Sequence, residues 1–527
     1  MRLAFVSPLP PAPSGVADYS AELLPLLADR VEQVQVVIPF DGPSPVIAEH
    51  SRLTLVSEAQ FVATAEAQGY DAVIYQHGNN EMHAFVHRLS QRFPGVSVLH
   101  DGVLHHFVAH QLLAQSPQNW VEYTKVLERA EGPLGRRFAQ LREQNLTAPW
   151  QVFLLPLLAP IVSASRAVLV HGAAVEAALR RKFPHTLLRR VRHHHSPLPE
   201  RLAKLTQAQA RERLGLPRDA FIVGSFGFVT PSKRVELALR AFSHAYSQLG
   251  EAHFVVVGKR LEFDEHIVDE LGLAARVRLT GSVPLEDFLT YLIAVDVVVN
   301  LRYPYSGESS GSLMRALGAG KACVVSKTPL AADFPEDVTV TVPVGAGEVA
   351  AIARALLTLQ RDPEKRKALA ERAARFARQA CSLEQSADAY LAITRAMLAK
   401  GKEAELAALT AALEAAADDE DRLRWRQESA AQPVWEALTA LRRWQVKDVV
   451  VVGEPIEVST VLSAELGNHV RVHPWNEGAP TPLLKTADAA VVLAWHRDFL
   501  GPRDAQAARW VSSAERRLQV VPGRGAV

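Results

Sequence analysis

The sequence predicts an α/β protein in which two sheets of parallel strands, joined by a short linker, face a common cleft, followed by a smaller α/β appendage. Three observations predict it. Short β-branched apolar runs alternate with amphipathic helical stretches, the pattern of buried parallel strands and crossover helices. That alternation runs from residue 1 to about 190, pauses, and restarts near residue 221. Polar or glycine-bearing loops follow the strands, where open α/β sheets bind ligands.

In the first half, strands are expected at Leu3–Ser7, Val34–Ile38, Asp71–Gln76, Val96–Leu99 and Ala167–His171. The first is followed by PLPPAPSGVADYS and a helix over Ala21–Ala28. Gly15 would let backbone approach a ligand, and Ser14 or Asp18 could cap the helix; a plain β–α turn has the same composition. The strand over Asp71–Gln76 ends in His77-Gly78-Asn79-Asn80, before a helix carrying His83 and His87. Those histidines have the spacing of a zinc pair, but no third ligand is near and no metal site is expected. His100 sits at a strand's carboxyl end, on the ligand side of its sheet, with Asp101 as its expected orienting partner; a hydrogen-bonded structural histidine is the competing reading.

A helix is expected over Trp120–Gln144. Six Arg or Lys and no acid lie between Arg180 and His195. The segment reads as a solvated helix end, with anionic lipid head groups as the second reading and so peripheral contact with a membrane. His193-His194-His195 leads into Ser196-Pro197-Leu198-Pro199, an interdomain linker. Consecutive residues of an extended segment point to opposite sides, so the triplet is not read as a metal site.

The second half opens with a strand over Phe221–Phe226, then GFVTPSKR and a helix over Val235–Leu249. Gly227, Lys233 and Arg234 lie in that loop, where a cation could neutralise a diphosphate leaving group. Strands over Phe254–Val257 and Val277–Leu279 and a helix over Glu286–Ala294 lead to VDVVVNLRYPYSGESSGSLMRALGAGKACVVS. This reads as a strand, a loop, a helix and a strand. Ser309, Ser310, Gly311 and Ser312 offer capping hydroxyls and free amides that suit a phosphate. Glu308 would accept hydrogen bonds from hydroxyls of the same ligand, or else face the helix dipole from the first turn. No G-x-G-x-x-G fingerprint is present, so a dinucleotide cofactor is not expected.

Composition limits the function classes. A chain of 527 residues needs more than one core, and a net charge of +1 gives no global field for nucleic acid. Cys323 and Cys381 alone cannot form a disulfide scaffold and fit a reducing cytosol. MRLAFVSPLPP is too short in apolar residues for a signal peptide, and Val152–Ala164, broken by Pro156 and Pro160, is too short for a membrane span. A cytoplasmic protein is expected, with the inner face of the membrane as its other location.

Residues from Met1 to about Lys400 resemble the GT-B glycosyltransferases of family 4, in a bacterial subgroup. SGVADYS is similar to the glycine loop of the acceptor domain. YQHGNNEMHAFVH and LHDGVLHHF are similar to paired segments of that subgroup, and FGFVTPSKRVELALRAF to the strand–loop–helix carrying a phosphate-binding lysine. LTGSVPLEDFLTYLIAVDVVVN with SGESSGSLMRALGAGKACVVS resembles the donor-site core. The resemblance implies two Rossmann-like domains, residues 1–197 on the acceptor side and 198–400 for the nucleotide sugar. It implies retaining sugar transfer from a nucleotide-sugar donor, without a metal, to a glycan, lipid-linked or other glycoconjugate acceptor in cell-surface polysaccharide synthesis. Lys233 and Ser309–Ser312 would hold the diphosphate, with Gly227 and Arg234 beside them, and Glu308 the sugar hydroxyls. Gly15 would lie under the reacting centre and His100 would line it, with Asp18, Asn79, His83 and Asp101 on the acceptor side. The leaving phosphate would help deprotonate the acceptor.

Two positions depart from the family pattern. Phe228 stands where many members carry arginine, with Arg234 expected to share the charge. Arg315 is the nearest equivalent of a ribose-binding glutamate. They support a second reading: a catalytically silent protein that binds a nucleotide sugar, or a protein partner through residues 401–527. There, Leu406, Leu409 and Leu413 share a helix face. Asp418-Asp419-Glu420-Asp421 holds a D-x-D in a charged run, read as surface. Val449–Val452, Val470–Val472 and Ala490–Leu493 are expected strands, with Gly453 standing alone after its strand. Trp425, Trp435, Trp444, Trp475 and Trp495 are expected to pack the appendage or dock it on the main body.

Overall fold

The computed structural model describes residues 1–39, 50–67, 69–114 and 119–416, and four further strands between residues 448 and 519. The chain divides into two compact units, Met1–Met397 and Leu398–Val527. The first holds two parallel sheets. One comprises β1 (Arg2–Val6), β2 (Gln33–Ile38), β3 (Leu53–Ser57), β4 (Ala72–His77), β5 (Val96–Leu99), β6 (Ala167–Val170) and β7 (Leu188–Arg190), in the order β3-β2-β1-β4-β5-β6-β7. The other comprises β8 (Phe221–Phe226), β9 (Ala252–Val257), β10 (Val277–Gly281), β11 (Val297–Asn300), β12 (Ala322–Ser326) and β13 (Val340–Val342), in the order β10-β9-β8-β11-β12-β13.

In each sheet the strand order reverses beside the first strand, between β1 and β4 and between β8 and β11. A crevice opens at such a switch point, outside the carboxyl ends of the strands, because the flanking connections leave in opposite directions. The strand cores are apolar throughout: Val297, Val298 and Val299 of β11 are buried, as a strand covered on both faces requires.

Three helices position the site. The first, α1 (Gly15–Asp29), begins well before the expected Ala21, because Ser14 Oγ accepts the Val16 amide and caps it. The second, α2 (Val235–Leu249), follows β8. The third, α3 (Gly311–Gly318), follows β11 and buries Leu313, Met314 and Leu317, each worth about 2 kcal/mol of transfer free energy. The helix α4 (Leu383–Ala416) meets the first sheet's domain with its initial turns. There Tyr390 Oη donates to Tyr19 Oη at 3.2 Å, and Arg30 Nε donates to Asp388 at 3.0 Å.

Several expectations need correction. The helix over Trp120–Glu143 is broken at Gly132, whose φ of 66° is non-helical and which precedes Pro133. Half of the basic run is paired within the protein: Arg180 with Glu176, Lys182 with Glu131, and Arg190 with Glu176 and Asp333. That leaves less charge for lipid head groups than the bare sequence implied. The strands β3, β7 and β13 were not foreseen.

In the second unit, β14 (Asp448–Val452), β15 (Arg471–Trp475), β16 (Ala489–Val492) and β17 (Arg517–Gln519) form a parallel sheet in the order β15-β14-β16-β17. Asp418–Asp421, Gly453, Trp425, Trp435, Trp444 and Trp495 lie outside the described residues. No described helix is long and apolar enough to cross a membrane.

Candidate active site

A cavity of about 440 Å³ lies between the two sheets, within the size range of small-molecule sites. Its first wall carries Gly15, Asp18, Tyr19 and Glu22 of α1, with His193 and His194; its second carries Gly227, Lys233, Arg302, Gly311, Ser312 and Arg315. Both loops of the second switch point converge here, after β8 and after β11, as the strand order dictates.

Lys233 lies beside Gly227 in that wall. A Cβ on Gly227, whose φ is +93°, would sit 2.9 Å from Lys233 Nζ, so glycine leaves room for the ammonium to cross the strand end. Burial, with Arg302 adding to it and Glu308 opposing, lowers the Lys233 ammonium to about 7. The amino end of α3 faces the same space through Gly311 and Ser312. Ser310 plays a different part: it is buried, its Oγ accepts the Leu313 amide at 3.2 Å, and it is a cap rather than a cavity wall. Asn300, at the end of β11, holds both hydroxyls, its Nδ2 donating to Ser312 Oγ and its Oδ1 accepting from Ser310 Oγ. Ser309 does not line the cavity.

Glu308 is turned inward. Its Oε1 accepts from Arg302 at 3.0 Å and its Oε2 from the Ser306 amide at 3.1 Å and the Ser306 hydroxyl. It stands one ion pair back from the cavity rather than in its wall. Arg302 is buried, and its second nitrogen donates to Ser310 Oγ at 2.7 Å.

Arg234, expected beside the phosphates, does not line the cavity. Its left-handed backbone, φ 54°, aims its side chain at buried Glu348, which accepts at 2.6 and 3.2 Å. Besides Lys233, the cations that line the cavity are Lys259, Arg302 and Arg315. Arg315 replaces no ribose-binding acid: it pairs with Glu22 across the cleft, and His194 Nε2 lies 3.4 Å from the same carboxylate. Neighbouring donors, foremost His194 and Arg315, outweigh burial and lower the Glu22 carboxyl to about 2.

The expected His100–Asp101 couple is not made. His100 Nε2 meets Gln76 Oε1 at 2.7 Å, in a buried layer under Tyr19. Asp101 accepts the Asn79 amide at 3.0 Å, and burial, with Glu308 nearby, raises its carboxyl to about 7. Asn79 and His83 are likewise structural. Asn79 Oδ1 accepts the Phe107 amide, and His83 Nδ1 is held at the Gln76 carbonyl. Of the acceptor-side residues expected, Gly15 and Asp18 line the cavity; Asn79, His83 and Asp101 do not. Burial raises the Asp18 carboxyl.

Arg302, Glu22, His193 and His194 were missed. Arg302 follows β11 as Lys233 follows β8, a signal of the same kind. Glu22 is four residues from Asp18, on the same face of α1. Strand alternation would send consecutive histidines to opposite sides, yet His193 and His194 both face the Tyr19 ring. Among the described residues no group of three or more His, Cys, Asp or Glu is arranged to hold a metal ion.

Comparison with known proteins agrees with this geometry. Residues 206–376, within the second domain, match the family described as glycosyl transferases group 1. Among solved structures, HepE of Anabaena in complex with UDP and glucose is similar at 17% identity and a TM-score of 0.51, covering 76% of this chain and 99% of that one. Sucrose-phosphate synthase of Thermosynechococcus elongatus is similar at 19% identity and a TM-score of 0.52, over 76% and 100%. A glycosyltransferase of Rickettsia africae follows at 12% identity and 0.50, over 75% and 98%. The fold of the first unit is therefore GT-B. No curated protein matches the sequence.

Proposed function

We propose that this chain is a retaining, metal-independent glycosyltransferase of family 4, bacterial subgroup, moving a sugar from a nucleoside diphosphate donor to a glycan, lipid-linked or other glycoconjugate acceptor. The observation that carries this reading is the convergence of Lys233, Arg302 and the amino end of α3 on one cavity at the switch point. Lys233 and Arg302, with the free amides, suit a diphosphate and would stabilise the charge that grows on it as the sugar leaves. The bond from the anomeric carbon to the phosphate oxygen breaks, the acceptor oxygen bonds from the same face, and its proton passes to the departing phosphate. Glu308 would accept hydroxyls of the sugar by exchanging its present bonds to Arg302 and Ser306, which hold it one ion pair behind the wall. The structures of HepE hold UDP and UDP-glucose, so uridine donors come first. The expected setting is cytoplasmic, at or near the inner membrane face, in cell-surface polysaccharide synthesis.

A thermal-shift panel of UDP-, GDP-, ADP- and dTDP-linked sugars, followed by hydrolysis and transfer assays, tests the reading. One sugar nucleotide should raise the melting temperature and turn over, and Glu308→Ala should lower that turnover about 10²-fold. The competing reading, a silent nucleotide-sugar binder, draws on the saturation of both Glu308 oxygens by protein donors. It prevails if wild type and variant bind nucleotide and are equally inert.

A further inference from the structure

Four histidines from three segments surround Tyr19 beneath the cavity floor. His194 stacks on its ring at 4.0 Å, while His100 and His193 approach at 4.8 Å and His171 at 5.3 Å. Part of this layer faces inward: His100 is bonded to Gln76 and His171 Nδ1 to the Val191 carbonyl. His193 and His194 also line the cavity, and His193 alone of the four approaches Gly311 on the opposite wall. Its Nε2 lies 3.7 Å, and its Cε1 3.8 Å, from the place a Cβ on Gly311 would take, at the first residue of α3.

The state of that ring follows from its other nitrogen. Nδ1 lies 2.7 Å from the His194 carbonyl oxygen, which only accepts, so Nδ1 carries the proton and Nε2 carries a lone pair. Burial and the neighbouring His194 and His171 hold the imidazole well below its usual pKa, against the pull of Glu22, so the lone pair persists at neutral pH.

A lone pair beside an anion site discriminates. Phosphate oxygens are acceptors, and a second acceptor next to them adds repulsion and no bond. A hydroxyl donates to it. The α3 amides and Lys233 therefore serve the anionic end of a ligand, and the histidine edge serves a hydroxyl one step away. We propose that His193 is a specificity-determining residue whose Nε2 accepts a hydrogen bond from a hydroxyl of the transferred sugar, making the cleft prefer a sugar-bearing diphosphate over the bare nucleoside diphosphate. This rests on the donor reading above and assigns a residue of the first domain to the donor.

Calorimetric affinities of the full-length protein for UDP, GDP, ADP and dTDP, and for their glucose or mannose conjugates, test it in wild type, His193→Ala and His193→Gln. Glutamine can place a carbonyl oxygen near the position of Nε2; alanine cannot. The wild-type preference for a sugar nucleotide over its own diphosphate should fall about tenfold in His193→Ala, the worth of one hydrogen bond to a buried acceptor. Diphosphate affinity should move less than about twofold, which also reports that the fold is intact, and His193→Gln should regain most of the preference. An equal loss for both ligands would make His193 a phosphate or structural contact, and an unchanged ratio would make it a packing residue. Either result overturns the inference and leaves the donor reading standing. If wild type binds nothing in the panel, the donor reading falls and the inference falls with it.

Discussion

Lys233 has the clearest consequence at the scale of single residues. Its ammonium is lowered to about 7, because burial and Arg302 disfavour the charge more than Glu308 favours it. The unfolded chain holds that proton to a much higher pH. Between about 7 and the usual lysine range the unfolded state thus binds more protons, and the Lys233 contribution to stability improves as pH rises. Its cost is felt in full below about 7. A bound diphosphate would restore the charge, so binding at pH 8 should take up a proton and affinity should fall between pH 7 and 9. Calorimetry in buffers of different ionisation heat measures both. Lys233→Ala should weaken diphosphate binding about 10²-fold, the scale of one charge-assisted contact in a shielded site. Arg234, its neighbour in sequence, should behave differently. Arg234→Ala strands Glu348, which is 1% exposed, and should cost about 3 kcal/mol in denaturant unfolding with little change in diphosphate affinity. The sequence showed two adjacent cations; only the left-handed backbone of Arg234 separates their roles.

Among elements, the loop between β11 and α3 decides whether the site is assembled. It touches the first domain backbone to backbone: the Gly102 amide donates to the Ser306 carbonyl at 2.8 Å. A Cβ on Gly307, at φ +78°, would stand 2.5 Å from the Gly102 Cα. Gly307→Ala should therefore push the loop away, carrying Glu308 with it. The expected result is a lower melting temperature and a larger fractional loss of turnover than of diphosphate affinity, because Lys233 and α3 stay in place. Elements of this size were legible in the sequence where apolar runs are long, as at β8 and α2. The strands β3, β7 and β13 were not, since three to five residues with exposed positions carry little periodic signal. They form because a neighbouring strand offers them an edge.

Across the first unit, the two domains meet through several polar ties around the cleft. Arg315 of α3 pairs with Glu22 of α1, and Asp333 accepts from the Ala173 amide at 2.9 Å and from Arg190 at 3.2 Å. The Glu22–Arg315 pair spans the mouth of the cavity itself, and hinge closure is the usual motion of such a cleft. Glu22→Gln should weaken that tie and increase the radius of gyration of the unliganded protein in X-ray scattering. A nucleotide sugar that binds both walls should reverse part of the change. An identical scattering curve in the variant would show that the other ties hold the cleft closed without it.

The sequence by itself determined the strand–helix alternation, the restart that makes two sheets, and the loops bearing Lys233, Glu308 and Gly311. Those features are local: propensity, apolar period and capping chemistry act over a few residues. Tertiary structure alone decided which side chains share the cavity. It paired Arg234 with Glu348, set Arg302 in the wall, drew Glu22 to Arg315 and turned His193 toward α3. Such partners stand up to hundreds of residues apart, and a charge or a lone pair acquires its role only from what burial and chain reversal bring beside it.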